Sequence, residues 1–179
     1  MGDSFEIRPE RVGDHRQIRR VVAAAFGSDV EADLVERIRV SPEYVPEMSL
    51  VAEIDGEIVG HVMISGASLR HADGDRRIVM LSPLAVDPAH QRAGIGGALV
   101  RSVAAVASQL GEPLVVLEGS PQYYQRFGFE PAAPHGLVIS LPEWAPPEAA
   151  QVLCLDGYDA SDPTLRGVVV YPAAFDGVD

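Results

Sequence analysis

The chain has 179 residues, of which 47% are hydrophobic and 22% are charged, and these values indicate an ordered globular protein. It carries 26 acidic and 14 basic residues, so its formal net charge is −12. Because nucleic acids attract basic surfaces, this balance argues against nucleic acid as a main partner. No apolar run reaches the roughly 20 residues that a membrane span needs, so no membrane association is expected.

Localisation and metal content follow from a few residue types. The first residues have neither a basic start nor an apolar core, so they do not resemble a signal peptide. The single cysteine, Cys154, cannot form an internal disulfide, which favours a cytoplasmic location. The five histidines are scattered without metal-ligand spacing, so no metal site is predicted.

The N-terminal third predicts a strand followed by two helices. Residues 5–8 form the strand candidate. Apolar residues then recur at helical spacing from Ile18 to Phe26, and Asp14 is placed to act as the N-cap of this helix. A second helix is predicted over residues 30–38.

The middle third predicts three antiparallel strands and a long helix. The runs 49–54 and 57–64 meet at Asp55-Gly56, a strong hairpin signal, and 77–86 is the third strand. The helix is predicted over residues 94–110. Its expected buried stripe consists of Ile95, Leu99, Val103, Val106 and Leu110.

The apolar run 114–117 predicts a strand parallel to 77–86, because a strand, a helix and a second strand in this order form a crossover unit. A short helix over 121–127 and further strands at 137–141, 151–155 and 167–171 follow. We therefore expect a single domain over residues 1–179, with a core at 5–131 and proline-rich C-terminal strands at 132–179. The fold class is α/β with a mixed sheet.

The turn before the long helix predicts an anion site. The first N–H groups of a helix lack internal partners, and glycines such as Gly94 and Gly96 let a phosphate approach them. A P-loop nucleotide site is excluded, because no Gly-Lys-Ser/Thr follows. A dinucleotide site is disfavoured, because antiparallel strands come first and the third glycine is missing.

Two motifs narrow this choice. Gln91-Arg92-Ala93-Gly94-Ile95-Gly96 resembles the acyl-CoA-binding motif of the GCN5-related N-acetyltransferases (GNAT superfamily). Tyr123-Tyr124-Gln125-Arg126-Phe127-Gly128-Phe129 resembles that superfamily's aromatic signature. The run from Leu117 to Pro131 and the tail 167–175 further resemble the YhbS-like branch of predicted bacterial acetyltransferases.

The resemblance implies the acetyltransferase fold, in which antiparallel strands precede a central pair of parallel strands that splay apart. It also implies acetyl-CoA as co-substrate. The pantetheine arm is expected along 84–86, and the pyrophosphate on the amides of 92–97, with Gln91 ordering the turn and a strand amide near Val86 facing the thioester oxygen. The implied cofactor-binding residues are Leu84, Ala85, Val86, Gln91, Arg92, Ala93, Gly94, Ile95, Gly96 and Gly97.

The resemblance also implies the catalytic residues. Tyr124 occupies the family's general-acid position. Its phenol, with a reference pKa of about 10, would protonate a departing thiolate whose thiol has a pKa of about 8.5. Glu118, at the end of a strand, is the first choice for the general base, and a base acting through water is the alternative. Arg92 and Arg126 are candidates for pairing with CoA phosphates.

The predicted function is acetyl transfer from acetyl-CoA to a primary amine of a small-molecule or peptide acceptor. A CoA-binding regulatory or sensor module is the alternative, and another nucleotide-binding protein is the third. No motif identifies the acceptor, and Trp144 is compatible with either an acceptor pocket or a cover over the core. A homodimer through the C-terminal strands is a further expectation.

Overall fold

A computed structural model describes residues 4–178 of the chain. It contains one nine-stranded sheet, four α-helices and several short 3-10 turns. The helices are α1 (His15–Phe26), α2 (Val30–Arg39), α3 (Ile95–Gln109) and α4 (Pro121–Tyr124). The strands are β1 (Glu6–Pro9), β2 (Ser49–Ile54), β3 (Glu57–His71), β4 (Gly74–Val86), β5 (Leu114–Glu118), β6 (Glu130–Pro131), β7 (Leu137–Val138), β8 (Ala150–Cys154) and β9 (Gly167–Val170).

The sheet is mixed, as predicted. Its main path runs β1-β2-β3-β4-β5-β8-β6, and β9 pairs with both β3 and β7. Strands β1 to β4 pair antiparallel in sequence order, whereas β4 and β5 pair in parallel. The connection between β4 and β5 is α3, as expected for a crossover between parallel strands. The predicted fold class is confirmed.

Two hydrophobic clusters cover the two faces of the sheet. Helices α1 and α2 bury residues such as Ile18, Val22 and Ile38 on one face. Helix α3 buries Ile95, Leu99, Val100, Val103 and Ala107 on the other face. The predicted stripe of α3 was wrong at Leu110, which is 50% exposed because it is the C-cap residue at which the chain leaves the helix.

Asp14 precedes α1 as predicted, but its side chain does not cap that helix. Its carboxylate accepts a hydrogen bond from the Arg11 amide at 2.7 Å and forms a salt bridge with Arg8 at 2.7 Å. The Arg8 guanidinium holds the pKa of this carboxyl below its usual range. The acid therefore fastens β1 to the turn before α1, and the capping prediction was wrong.

The second and third predicted antiparallel strands were too short, because β3 and β4 continue outward until His71 faces Gly74. The outer part of β3 then pairs with β9 through residues 68–70. The predicted strand at 137–141 was too long, since only Leu137–Val138 pairs, with β9. Strand β9 lies about 100 residues after the outer part of β3 in the sequence, so local patterns could not predict this pairing.

A buried polar cluster lies beneath β3. His61 is fully buried; its Nε2 lies 3.0 Å from Ser49 Oγ and 3.9 Å from the Glu10 carboxylate. Glu10 also pairs with Arg39 at 2.9 Å and accepts a hydrogen bond from Tyr44. Burial lowers the pKa of His61 to about 4, against the attraction of Glu10. The imidazole is therefore neutral at neutral pH.

This cluster predicts a specific pH dependence of stability. Since the folded-state pKa of His61 is about 4 and the unfolded value about 6.5, the unfolded state binds the proton first as the pH falls. The contribution of neutral His61 to the free energy of unfolding is complete above pH about 6.5. It declines by about 3 kcal/mol as the pH falls to about 4. We expect His61→Gln to remove this slope in urea unfolding and His71→Gln to retain it. An unchanged slope in His61→Gln would contradict the assignment.

Candidate active site

The site begins where β4 and β5 part. Their pairing extends only from Val79 with Val115 to Met80 with Val116. Beyond this point β4 forms a bulge against β3. Leu81 pairs with Ile64 and Leu84 with Val62, so β4 has one extra residue around Ser82-Pro83. A proline without an N–H fits such a position. The two strands therefore leave a gap between Leu84–Val86 and the end of β5.

The backbone of β4 faces this gap with hydrogen-bonding groups. Asp87 N–H donates to Val59 O at 2.8 Å, on the β3 side. Because successive N–H groups alternate along a strand, the Val86 N–H points away from β3 and toward the gap. The Gln91 side-chain amide donates to Val86 O at 3.1 Å on that same side, linking the strand to the following turn.

The glycine turn brings backbone amides to the start of α3. Arg92 and Gly94 both have positive φ angles, of 64° and 82°. Gly94 adopts this conformation without strain because glycine has no Cβ atom. The turn leads into α3 at Ile95, so the N–H groups of its first turn lack intrahelical partners. This end of α3 is the positive end of the helix dipole and is suited to an anion.

Helix α4 and the 3-10 turn that follows it, Gln125–Phe127, pack aromatic rings against the start of α3. Gly96 lies so close to Tyr123 that a Cβ there would collide with the Tyr123 hydroxyl, and a Cβ at Gly97 would lie 3.1 Å from the Phe127 ring. The Arg126 guanidinium lies 4.7 Å from the Tyr123 ring centroid, and the Arg101 guanidinium 4.9 Å from that of Phe127. The rings therefore hold two cations beside the helix start.

A cavity of about 740 Å³, here called the arginine cavity, opens between this turn and β4. Three arginines line it, and among residues 4–178 no acidic side chain forms a salt bridge with any of them. Its lining consists of Ala25, Phe26, Leu84, Ala85, Val86, His90, Gln91, Arg92, Gly94, Ile95, Gly96, Gly97, Arg101, Tyr123, Arg126 and Phe127.

A second cavity of about 700 Å³, here called the glutamate cavity, lies on the β5 side of the gap. It is lined mainly by apolar and aromatic side chains, and Glu31 and Glu118 are the only acidic or basic residues among the described residues that line it. It shares Phe26 and Leu84 with the arginine cavity, so the two meet at the gap. Other lining residues include Pro83, Tyr124, Leu141, Trp144, Tyr171 and Phe175.

Tyr124 lines the glutamate cavity, whereas its neighbour Tyr123 lines the arginine cavity. Its ring packs against the backbone at Gly119, where a Cβ would lie 2.8 Å from ring carbon Cε2, and edge-on to Tyr123 and Phe129 at 4.9 and 5.6 Å between centroids. Burial raises the pKa of Tyr124 above its ordinary value, so the phenol keeps its proton. The side chain is therefore a neutral, firmly packed phenol.

Glu118 also lines the glutamate cavity, at the end of β5. The Tyr171 hydroxyl donates a hydrogen bond of 2.6 Å to its Oε2. Burial and this contact raise the pKa of Tyr171, so Tyr171 remains the donor of the pair. The C-terminal segment thus orients the carboxylate that stands one residue before Gly119.

The structure brings the sequence-predicted residues to one cleft. Of the ten predicted cofactor residues, all but Ala93 line the arginine cavity, and both predicted catalytic residues line the glutamate cavity. Sequence reasoning missed Arg101, one helical turn beyond Gly97. It also missed Phe26, Glu31 and the Tyr171–Glu118 contact, because these residues reach the cleft only through tertiary packing.

Comparison with known proteins identifies the family. Residues 6–132 match the model of the acetyltransferase (GNAT) domain. The chain belongs to this family. It is 37% identical over 120 residues to the uncharacterized N-acetyltransferase YjhQ of Escherichia coli, and the match covers 67% of this chain and 66% of YjhQ. It therefore spans just under two thirds of the length of that relative.

Solved structures of the family agree with the fold. The GNAT family N-acetyltransferase YhbS from Escherichia coli, crystallised in complex with CoA, has a TM-score of 0.83 and 31% identity, covering 98% of this chain and 93% of that chain. A GNAT family acetyltransferase from Brucella melitensis, in complex with acetyl-CoA, has a TM-score of 0.77 and 34% identity, covering 97% and 99%. The predicted relationship to the YhbS-like branch is confirmed.

The family assignment confirms the prediction of an enzyme of the acyltransferase class. Two findings bear on other expectations, for residues 4–178 alone. None of their helices is long and apolar enough to cross a membrane. They contain no group of three or more His, Cys, Asp or Glu side chains that could hold a metal ion. Localisation, metal content and oligomeric state stay predictions.

The contact between Gly96 and Tyr123 gives a matched test of how the turn is packed. We expect Gly96→Ala to lower the free energy of unfolding by about 1–3 kcal/mol, because the new methyl group meets the Tyr123 hydroxyl. Tyr123→Phe removes that oxygen, so the double variant should regain most of the loss in urea unfolding. Additive effects in the double variant would contradict this packing.

Proposed function

We propose that this protein transfers the acetyl group of acetyl-CoA to a primary amine by direct attack in a ternary complex. The observation that carries the proposal is a single cleft with two chemically different halves. One half offers helix-start amides and arginines, and the other offers a neutral tyrosine and a carboxylate. The halves meet at the gap between β4 and β5.

The arginine cavity has the groups that CoA requires. The amides from Arg92 to Gly97 would hold the pyrophosphate, and Arg101 and Arg126 stand ready to pair with further phosphate charge. The gap-facing backbone of Leu84–Val86 would pair with the amides of the pantetheine arm, as an added strand does. The CoA and acetyl-CoA found with YhbS and with the Brucella melitensis protein support this fit.

The bound co-substrate supplies an acetyl thioester, whose C–S bond breaks as the amine nitrogen forms the new C–N bond. The Val86 N–H would stabilise negative charge on the carbonyl oxygen. Tyr124 would donate its hydroxyl proton to the departing sulfur. Glu118 would accept the proton lost by the amine, directly or through a water molecule.

Direct attack is favoured over an acetylated enzyme intermediate. Cys154 is the only cysteine of the chain, and a thiol is the side chain best suited to take an acetyl group from a thioester. Cys154 lines neither cavity. Burial also raises the pKa of its thiol, which disfavours the reactive thiolate.

We further propose that residues 1–179 act as a single domain, although residues 1–3 and 179 lie outside the described part of the chain. Strands β8 and β9 pair with β5 and β3 of the core, and C-terminal residues such as Trp144 and Tyr171 line the glutamate cavity. The acceptor is a small-molecule or peptide amine in this proposal, and the enzyme works in the cytoplasm.

The general-acid role predicts the effect of a conservative change. Tyr124→Phe should lower kcat by roughly 10²–10⁴-fold, because the thiolate loses its proton donor, while the affinity for acetyl-CoA is unchanged. Thiol release with a panel of amines measures kcat, and calorimetry measures affinity. Tyr158→Phe is the matched control, since Tyr158 lines neither cavity. Because burial raises the pKa of Tyr124, its protonation should not limit kcat below pH about 10.

Two other outcomes would replace the proposal. Binding of acetyl-CoA without thiol release for any amine, in wild type and Tyr124→Phe alike, would favour the regulatory module. A rise in melting temperature with ATP or NAD, but not with acetyl-CoA, would favour another nucleotide-binding protein.

The chain contains 14 arginines and no lysine. Acetyl-lysine found by mass spectrometry in such an assay must therefore come from an acceptor.

If Glu118 is the general base, two variants should lower kcat to different extents. Glu118→Gln should lower kcat by at least about 10²-fold, since an amide cannot accept the amine proton. Tyr171→Phe leaves the carboxylate but removes its hydrogen bond, so its effect should be about tenfold or less. If Glu118→Gln keeps the wild-type kcat while Tyr124→Phe does not, Glu118 is not the base.

A further inference from the structure

The charge of the cleft is divided between its two cavities. Among the described residues, His90, Arg92, Arg101 and Arg126 line the arginine cavity and no acid does so. Glu31 and Glu118 line the glutamate cavity, and no arginine or histidine does so. This division places negative charge on the acceptor side, although phosphate binding explains only the positive side.

The two glutamates differ in their hydrogen-bond partners. Glu118 Oε2 accepts a hydrogen bond from Tyr171. Glu31 as a whole is half-buried, and its Oε2 atom is shielded from solvent and has no hydrogen-bond partner among the described residues. Glu31 stands in the first turn of α2, where the helix dipole favours a negative charge. A buried carboxylate oxygen without a partner costs free energy, and a bound cation would offset that cost.

The other residues that line the glutamate cavity suit the apolar carbon chain that carries such a cation. The same cavity is lined by aromatic side chains, which pack against methylene groups and attract ammonium groups: Phe26, Trp144, Tyr171 and Phe175. A cavity of about 700 Å³ is the size of a small-molecule site. A carboxylate on the acceptor would be repelled by both glutamates.

We propose that the acceptor is a small dicationic amine with an apolar stem. One amine, neutral when it reacts, lies at the Tyr124 and Glu118 end, and the distal ammonium pairs with Glu31. This inference rests on the proposed function for the identity of the reacting amine. It adds Glu31 as the residue that selects acceptors with a second positive charge.

The test is a binding comparison on the CoA-saturated protein. An α,ω-diaminoalkane series is titrated against n-alkylamines of the same chain lengths, by calorimetry and by fluorescence of Trp144, the single tryptophan, which is 83% exposed while lining this cavity. At the best length, the diamine should bind at least about tenfold more tightly than its monoamine. KM values from thiol release should show the same preference.

Variants identify the residue responsible. Glu31→Gln should remove the diamine advantage and leave monoamine affinity unchanged, whereas Glu31→Asp, with a shorter reach, should shift the optimum to longer diamines. Glu143→Gln is the matched control, because Glu143 is an exposed carboxylate next to Trp144 that lines neither cavity. Unchanged affinity for acetyl-CoA shows that each variant is folded.

Different failures point to different proposals. Equal binding of diamines and monoamines, unaffected by Glu31→Gln, would overturn the dicationic acceptor, and thiol release with monoamines would then leave the proposed function intact. Tighter binding of a lysine-containing peptide amide than of any diamine would also overturn it, in favour of a peptide acceptor. If no amine releases thiol, the proposed function fails, and the binding series still decides the role of Glu31.

Discussion

Strands β4 and β5 pair at two positions only, from Val79 with Val115 to Met80 with Val116, and then separate. Everything that gives this molecule a site depends on that limit. The bulge at Ser82-Pro83 carries β4 away from β5, and α3 and α4 pack on the same side to form the arginine cavity. If the two strands stayed paired to their ends, the central sheet would be closed and the cleft would not exist.

The same gap separates two electrostatic environments in a protein with a formal net charge of −12. The rings of Tyr123 and Phe127 hold guanidinium groups beside the start of α3, so positive charge is concentrated where the overall composition does not suggest it. The C-terminal segment supplies the opposite wall, through Tyr171 and Trp144. A composition-level argument about charge therefore describes the molecule as a whole and not its cleft.

Most of the fold could be predicted from the sequence, because hydrophobic periodicity and turn residues are local signals. The glycine turn and the Tyr123–Phe129 motif were recognisable for the same reason, since each motif is contiguous in the chain. Glu31 and the Tyr171–Glu118 pair could not be predicted, because they depend on contacts between distant segments. The family model ends at residue 132, and much of the glutamate cavity is built beyond it, so the family does not specify the acceptor.

The gap-facing backbone of Leu84–Val86 amounts to a sheet edge located inside the molecule. An exposed edge of this kind invites strands of other chains and is a risk for aggregation. Here the edge forms part of the lining of the arginine cavity, together with side chains such as Phe26 and Phe127. An unpaired stretch of strand that lies in a cavity is less exposed to the strands of other chains than one at the outer edge of the sheet.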